Sequence, residues 1–158
     1  GASMKLVERD TLHICGYAAE TDAGHNDHYL SALYKDFVDN NKESILLGLQ
    51  GSKKGYYGLM WYTLGHEKYC YLLGIQVGAA CEPPVGSILK TIPKTLYAVA
   101  CYPHDKDVIE AWTEFFFTGI PNAGYAPNER LNLYFEFFPE GVDGAYELWV
   151  PVVKNDVS

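Results

Sequence analysis

The chain has 158 residues, 48% of them hydrophobic, with a formal net charge of −8 and a pI near 5.0. That hydrophobic share supports a packed core and excludes a disordered chain, and the length suits one domain or two small fused halves. An acidic chain without any Lys/Arg cluster argues against a nucleic-acid partner, because phosphate binding demands a basic footprint, and no apolar run approaches the roughly 20 residues that span a bilayer.

Gly1-Ala2-Ser3 before Met4 reads as an expression scar, so a single domain over 4–158 is expected, without a signal peptide and in the cytoplasm. Thr11 to Glu20 is strand-like. Asp22 to Asp27 is a polar loop with Asn26 and Asp27 as helix N-cap candidates. Leu30, Leu33, Tyr34, Phe37 and Val38 then fall at i, i+3, i+4, i+7 and i+8, which predicts an amphipathic helix. Glu43 to Leu49 fits a second, short helix. A turn over Gly51 to Gly55 precedes the aromatic strand Tyr56 to Thr63, and Gly65-His66-Glu67 turns the chain into a strand over Lys68 to Val77.

Cys81 to Gly86 punctuates the chain near its midpoint, and the order then recurs. Thr95 to Tyr102 is a strand. His104 and Asp105 open a helix whose apolar stripe is Val108, Ala111, Trp112, Phe115 and Phe116, ended by Gly119, Pro121 and Gly124. Leu131 to Phe138 and Tyr146 to Val153 are strands around a turn over Pro139 to Gly144. The chain thus reads strand–helix–strand–strand twice, with halves of about 8–80 and 87–154, and Tyr71 to Val77 aligns with Tyr146 to Val152. This predicts an α+β fold of duplicated halves about a pseudo-two-fold axis. Helices cover one sheet face and leave the other available, and a ligand cleft lies between the halves.

Glu147 is the acidic residue that stands out. Strand alternation puts Tyr146, Leu148, Val150 and Val152 on a core-like face, and Glu147 beside Trp149 and Pro151 on the other. In a chain with thirteen Tyr, a carboxylate next to an indole suggests an aromatic pocket with one acid, able to hold a cation or move a proton. A solvated Glu on an open face is the alternative. Trp112 is either core or cleft. Either face of the strand bearing Trp61 suits the crevice. Tyr71 and Tyr146 share parity with core-like neighbours and read as structural. Glu136, on a strand face with Asn132, Tyr134 and Phe138, is a second carboxylate candidate, with a solvated or structural role as the simpler reading.

His25-x-x-His28 lacks further ligands at zinc spacing, so no metal is expected. Cys15, Cys70, Cys81 and Cys101 form no C-x-x-C pair, three of them lie in apolar strand-like runs, and they read as reduced, buried thiols. Phosphate-loop, dinucleotide and nucleophile-elbow motifs do not occur, and no cofactor is expected.

Several segments together resemble the GyrI-like family of small-molecule-binding domains, also found as effector modules of AraC- and MerR-type regulators. They are Ile92-Pro93 with Leu96-Tyr97-Ala98-Val99, Trp112, Pro121-Asn122-Ala123-Gly124-Tyr125, Phe135-Glu136-Phe137-Phe138-Pro139 and Tyr146 to Val152, with Gly16-Tyr17 and Tyr71 to Val77 in the first half. Two departures stand out: Gly119 occupies a position where Trp is usual, and no helix-turn-helix precedes the domain, as expected of a stand-alone member. The resemblance implies an aromatic cleft around a central carboxylate, which by position in the last strand is Glu147, with Trp112, Trp149, Trp61, Tyr134 and Phe138 as ligand contacts. It implies a hydrophobic or cationic small-molecule ligand and leaves three roles open: drug sequestration, hydrolysis of cyclopropane-containing toxins by Glu-activated water, and action on a macromolecule such as gyrase. Oligomeric state is left undetermined.

Overall fold

The computed structural model describes residues 4–21, 26–50, 55–63 and 68–155, without the side chains of 26–30 and 50. The expected scar, the side chains of the N-cap candidates Asn26 and Asp27, residue His25 and the side chain of His28, and most of the turns over 51–55 and 65–67 lie outside what is described.

Among the described residues nine strands form one antiparallel sheet, β1 (Met4–Arg9), β2 (Leu12–Thr21), β3 (Tyr56–Tyr62), β4 (Tyr69–Val77), β5 (Ile88–Ile92), β6 (Thr95–Tyr102), β7 (Tyr125–Pro127), β8 (Tyr134–Phe138) and β9 (Tyr146–Lys154). Helices α1 (Asn26–Asp39) and α2 (Lys42–Gln50) belong to the first half. In the second, α3 (Val108–Glu114) runs into a π-helical turn (Phe115–Gly119) and the short α4 (Ile120–Asn122). The strand order is β1-β6-β9-β8-β3-β4-β2-β5, with β7 added to the end of β9. Matching β2, β3 and β4 to β6, β8 and β9 makes this order the one that a pseudo-two-fold axis between β3 and β8 generates. The edge strands are exchanged: β1, which precedes β2, pairs with β6, and β5, which precedes β6, pairs with β2. Neither edge strand was expected from the sequence; both are short and mixed in polarity, and only the partner half supplies their ladders.

Three further differences have local causes. The helix over 108–122 ends before Gly124 (φ 86°), as expected, but not at Gly119: the π turn carries it on, and the wider turn accommodates Pro121, whose ring would crowd a regular helix. Its N-cap is Asp107, whose carboxylate accepts from the Glu110 N–H at 3.0 Å, rather than His104 or Asp105. Strand β8 begins only at Tyr134, because Asn132 is left-handed (φ 47°); its amide instead accepts from the Tyr62 N–H at 3.0 Å and donates to the Tyr62 carbonyl at 2.8 Å, extending the edge of β3.

The sheet is buried on both faces. On the helix side, Leu33 and Phe37 of α1 and Leu46 of α2 share a core with Tyr17, Tyr71 and Leu73 of the sheet, while Ala111 of α3, Phe115 and Ile120 share another with Tyr146, Leu148 and Val150. The reverse face, expected to be available, is filled by its own core of Leu12, Ile14, Tyr57, Leu72, Ile92, Tyr97, Phe135 and Trp149. Arg9 of β1 bridges this side of the two halves, donating to the Tyr57 hydroxyl at 2.7 Å and to Gln76 Oε1 at 3.4 Å. Among the described residues no helix is long and apolar enough to cross a membrane.

Candidate functional site

Strand β8 is central and pairs with β3 and β9, placing Glu136 opposite Gly58 on one side and Leu148 on the other. Alternation therefore directs Glu136, with Tyr134 and Phe138, to the helix side of the sheet. Glu136 is the one charged side chain buried among the described residues, at 7% exposure. Both its oxygens are engaged: Oε1 accepts from the Tyr71 hydroxyl at 2.8 Å and Oε2 from the Trp112 indole N–H at 2.8 Å. The Tyr34 hydroxyl lies 3.1 Å from that of Tyr71, so a residue from α1, one from β4 and one from α3 converge on a single carboxylate.

Room for this arrangement comes from Gly58. A Cβ there would lie 2.0 Å from the Tyr71 hydroxyl oxygen and 3.0 Å from Glu136 Oε1, so any larger residue displaces the pair.

Among the described residues no Lys, Arg or His pairs with Glu136. Burial holds its carboxyl above the ordinary glutamate value of 4.5, and the Trp112 and Tyr71 hydrogen bonds only partly offset this. Burial, then the neighbouring Glu136 charge, pushes Tyr71 well above the usual phenol range and Tyr34 up to about 12. The consequence for stability has a definite sign. Between the ordinary glutamate value and the raised one, the native state keeps a proton that the unfolded chain has lost, so stability falls as pH rises through that interval and is flat above it. Unfolding of the ligand-free protein across pH 4 to 8 is expected to show this decline superimposed on the other titrations, and Glu136→Gln is expected to remove it; an unchanged profile in the variant would mean that Glu136 titrates normally.

Above the carboxylate lies a cavity of about 800 Å³ between α1 and the segment leading into α3. Tyr34, Met60, Tyr71, Trp112, Phe138 and Tyr146 form its apolar walls. Asp105, Asp107 and Asp143 line it as well, whereas the Lys106 ammonium on the same lining is engaged by Glu114 at 2.9 Å and Glu110 at 3.8 Å. A buried acid, aromatic faces and acidic residues around it make a site suited to a positive, apolar guest.

Residues 5–152 match the family Cass2, integron-associated effector binding protein. The chain belongs to the Cass2 family. Among curated proteins none matches it by sequence. Its fold is shared by SAV2435, solved bound to tetraphenylphosphonium (14% identity, TM-score 0.73, 96% of this chain and 94% of that one). The integron cassette protein VCH_CASS2 from Vibrio cholerae also shares it (14%, 0.68, 95% and 95%). A hydrolase from Listeria innocua is more distant (8%, 0.56, 96% and 92%). The family's description as an effector binding protein agrees with the GyrI-like resemblance that the sequence motifs carry.

The aromatics and acids expected at the site are distributed over several places in this Cass2 domain. Trp112 and Phe138 line the large cavity; Tyr134 and Trp61 line a smaller one beside it. Trp149 is in the reverse-face core, stacked on Phe135 with centroids 5.4 Å apart and under the Arg9 guanidinium at 5.1 Å. The structure does not bring Glu147 to either cavity: it sits half-buried on the reverse face, accepting from the Trp149 indole N–H at 2.9 Å. Glu136, named only as a second candidate, and Tyr71, read as structural, are the residues that meet. Their shared signal in the sequence is parity: Glu136 lies on the same strand face as Tyr134 and Phe138, but only the pairing of β8 with β3 shows that this face lies under the helices. Among the described residues no group of three His, Cys, Asp or Glu could hold a metal; the four Cys are free, but of the four only Cys15 is buried as expected, Cys70 and Cys81 being partly exposed and Cys101 exposed.

Proposed function

We propose that this Cass2 protein binds lipophilic organic cations in the large cavity, with Glu136 as the counter-ion and the surrounding aromatic rings as the contact surface, and that it serves in resistance to such compounds by sequestering them. The observation that carries the reading is a buried carboxylate, held by two neutral donors and by no basic side chain among the described residues, at the base of an aromatic cavity. A buried charge without a partner costs several kcal/mol. A bound cation supplies the partner, and each aromatic face adds about 0.5–2 kcal/mol. That SAV2435 was solved with tetraphenylphosphonium supports this choice of guest.

A hydrolytic alternative rests on the same carboxylate. Glu136 would take a proton from water as its oxygen bonds to a carbon of an activated cyclopropane; the ring C–C bond breaks, and its electron pair passes to a conjugated carbonyl hydrogen-bonded by a Tyr hydroxyl. Engagement of both Glu136 oxygens by donors favours charge stabilisation over base catalysis, so binding is the primary reading.

Calorimetric titration with tetraphenylphosphonium tests it. Only the ionised carboxyl attracts the cation, so affinity is expected to rise about tenfold per pH unit below the raised Glu136 value and then to level, with proton release seen as a buffer-dependent heat. No binding at any pH would refute the cation reading. A ring-opened water adduct of a spirocyclopropane compound, formed at substoichiometric protein, would move the function to hydrolysis.

A further inference from the structure

Beside the large cavity lies a second of about 250 Å³, and Met60, Tyr69, Ile109 and Trp112 line both. None of the residues lining the smaller cavity is charged. The π turn after α3 contributes Phe116 and Phe117 to it, and β8 contributes Tyr134, whose ring meets Phe116 edge-on with centroids 5.7 Å apart. The rim is unusually apolar for an exposed surface: Phe117 is 73% exposed, Ile109 57% and Tyr62 42%.

Its position selects the occupant. The hydrogen bond to Glu136 anchors the Trp112 indole, so the ring stands as a fixed partition between the two spaces. The smaller cavity has room for about one aromatic ring or a short alkyl chain, holds no charged group, and opens directly off the cation site. We propose that it is a second subsite for the apolar arm of the same ligand, so that the preferred guests are elongated amphipathic cations whose positive centre sits at Glu136 and whose aromatic or alkyl arm passes Trp112 to lie against Phe116 and Tyr134. The inference rests on the cation-binding reading above and adds a determinant of ligand shape to it.

Two probes decide the matter: methyltriphenylphosphonium, which is compact, and (4-phenylbutyl)triphenylphosphonium, which carries an arm. The armed probe is expected to bind about tenfold tighter or more, since the arm buries at least a phenyl ring's apolar area. Thr113→Trp, which places bulk in the smaller cavity alone, and Phe117→Ser, which strips its exposed wall, are expected to abolish that advantage while leaving the compact probe's affinity within about twofold. Both positions are solvent-facing, so the fold should tolerate them. Equal affinity of the two probes for the parent protein, or an advantage that survives both substitutions, overturns the second subsite and leaves the cation site standing. Binding of neither probe overturns both.

Discussion

Glu136→Gln is expected to weaken tetraphenylphosphonium binding by about 100-fold while leaving thermal stability equal to the parent's or higher at neutral pH. Truncating one partner of a buried charge pair typically costs 2–5 kcal/mol, and here the other partner is the ligand itself. The fold can keep its hydrogen bonds: the Trp112 indole still donates to the amide oxygen, and the Tyr71 hydroxyl, now accepting from the amide nitrogen, can donate toward Tyr34 instead. Removing an unpaired buried charge also removes its desolvation cost, so a functional loss would come with stabilisation, as is common where a site is held at the expense of stability. Glu147→Gln is the matched comparison. It alters a half-buried carboxylate on the opposite face that accepts from Trp149, and it is expected to change affinity by less than about threefold. Should Glu136→Gln bind as the parent does, the counter-ion assignment fails; should Glu147→Gln carry the loss instead, the ligand belongs on the reverse face.

Gly58→Ala is the second large effect. The added methyl would stand 2.0 Å from the Tyr71 hydroxyl oxygen and 2.6 Å from its ring carbon Cζ. Tyr71 is 2% exposed and packed in the core under α1, so relief of the clash pushes the ring toward the ligand cavity that it lines and its hydroxyl off Glu136. Overpacking of this kind costs about 1–3 kcal/mol, and displacement of the hydroxyl breaks a donor to Glu136. We expect a clear fall in the denaturant midpoint and about tenfold weaker cation binding from one added carbon. Tyr71→Phe separates the two contributions, since it removes the hydroxyl without strain; it should weaken binding while costing less stability than Gly58→Ala. A Gly58→Ala protein that melts and binds like the parent would show that β3 and Tyr71 are not packed as described.

Much of the architecture was legible because it follows from local periodicity. The i, i+3, i+4, i+7 spacing of Leu30, Leu33, Tyr34 and Phe37 placed α1, and the Val108-Ala111-Trp112-Phe115 stripe placed α3. Alternation and β-branched or aromatic content placed β2, β3, β4, β6 and β9. The similarity of Tyr71 to Val77 and Tyr146 to Val152 pointed to a duplication, with which the strand order is consistent. What escaped were β1, β5 and β7, brief segments whose pairing partners are supplied by distant parts of the chain.

For the site, sequence alone determined its materials: a GyrI-like chain rich in Tyr, with Glu136 and Glu147 as acids in aromatic strands and Trp112 on a helix. Which acid the cavity receives was decided by tertiary structure. Alternation assigns Glu136 and Glu147 to opposite faces, since Glu136 pairs with Leu148 rather than with Glu147, but it is silent on which face the helices cover. That choice follows from packing: the pairing of Glu136 with Gly58 across the two halves, with Trp112 from α3 on one oxygen and Tyr71 on the other, closes one face around its acid. The reverse face fills with its own core and leaves Glu147 to its neighbouring indole.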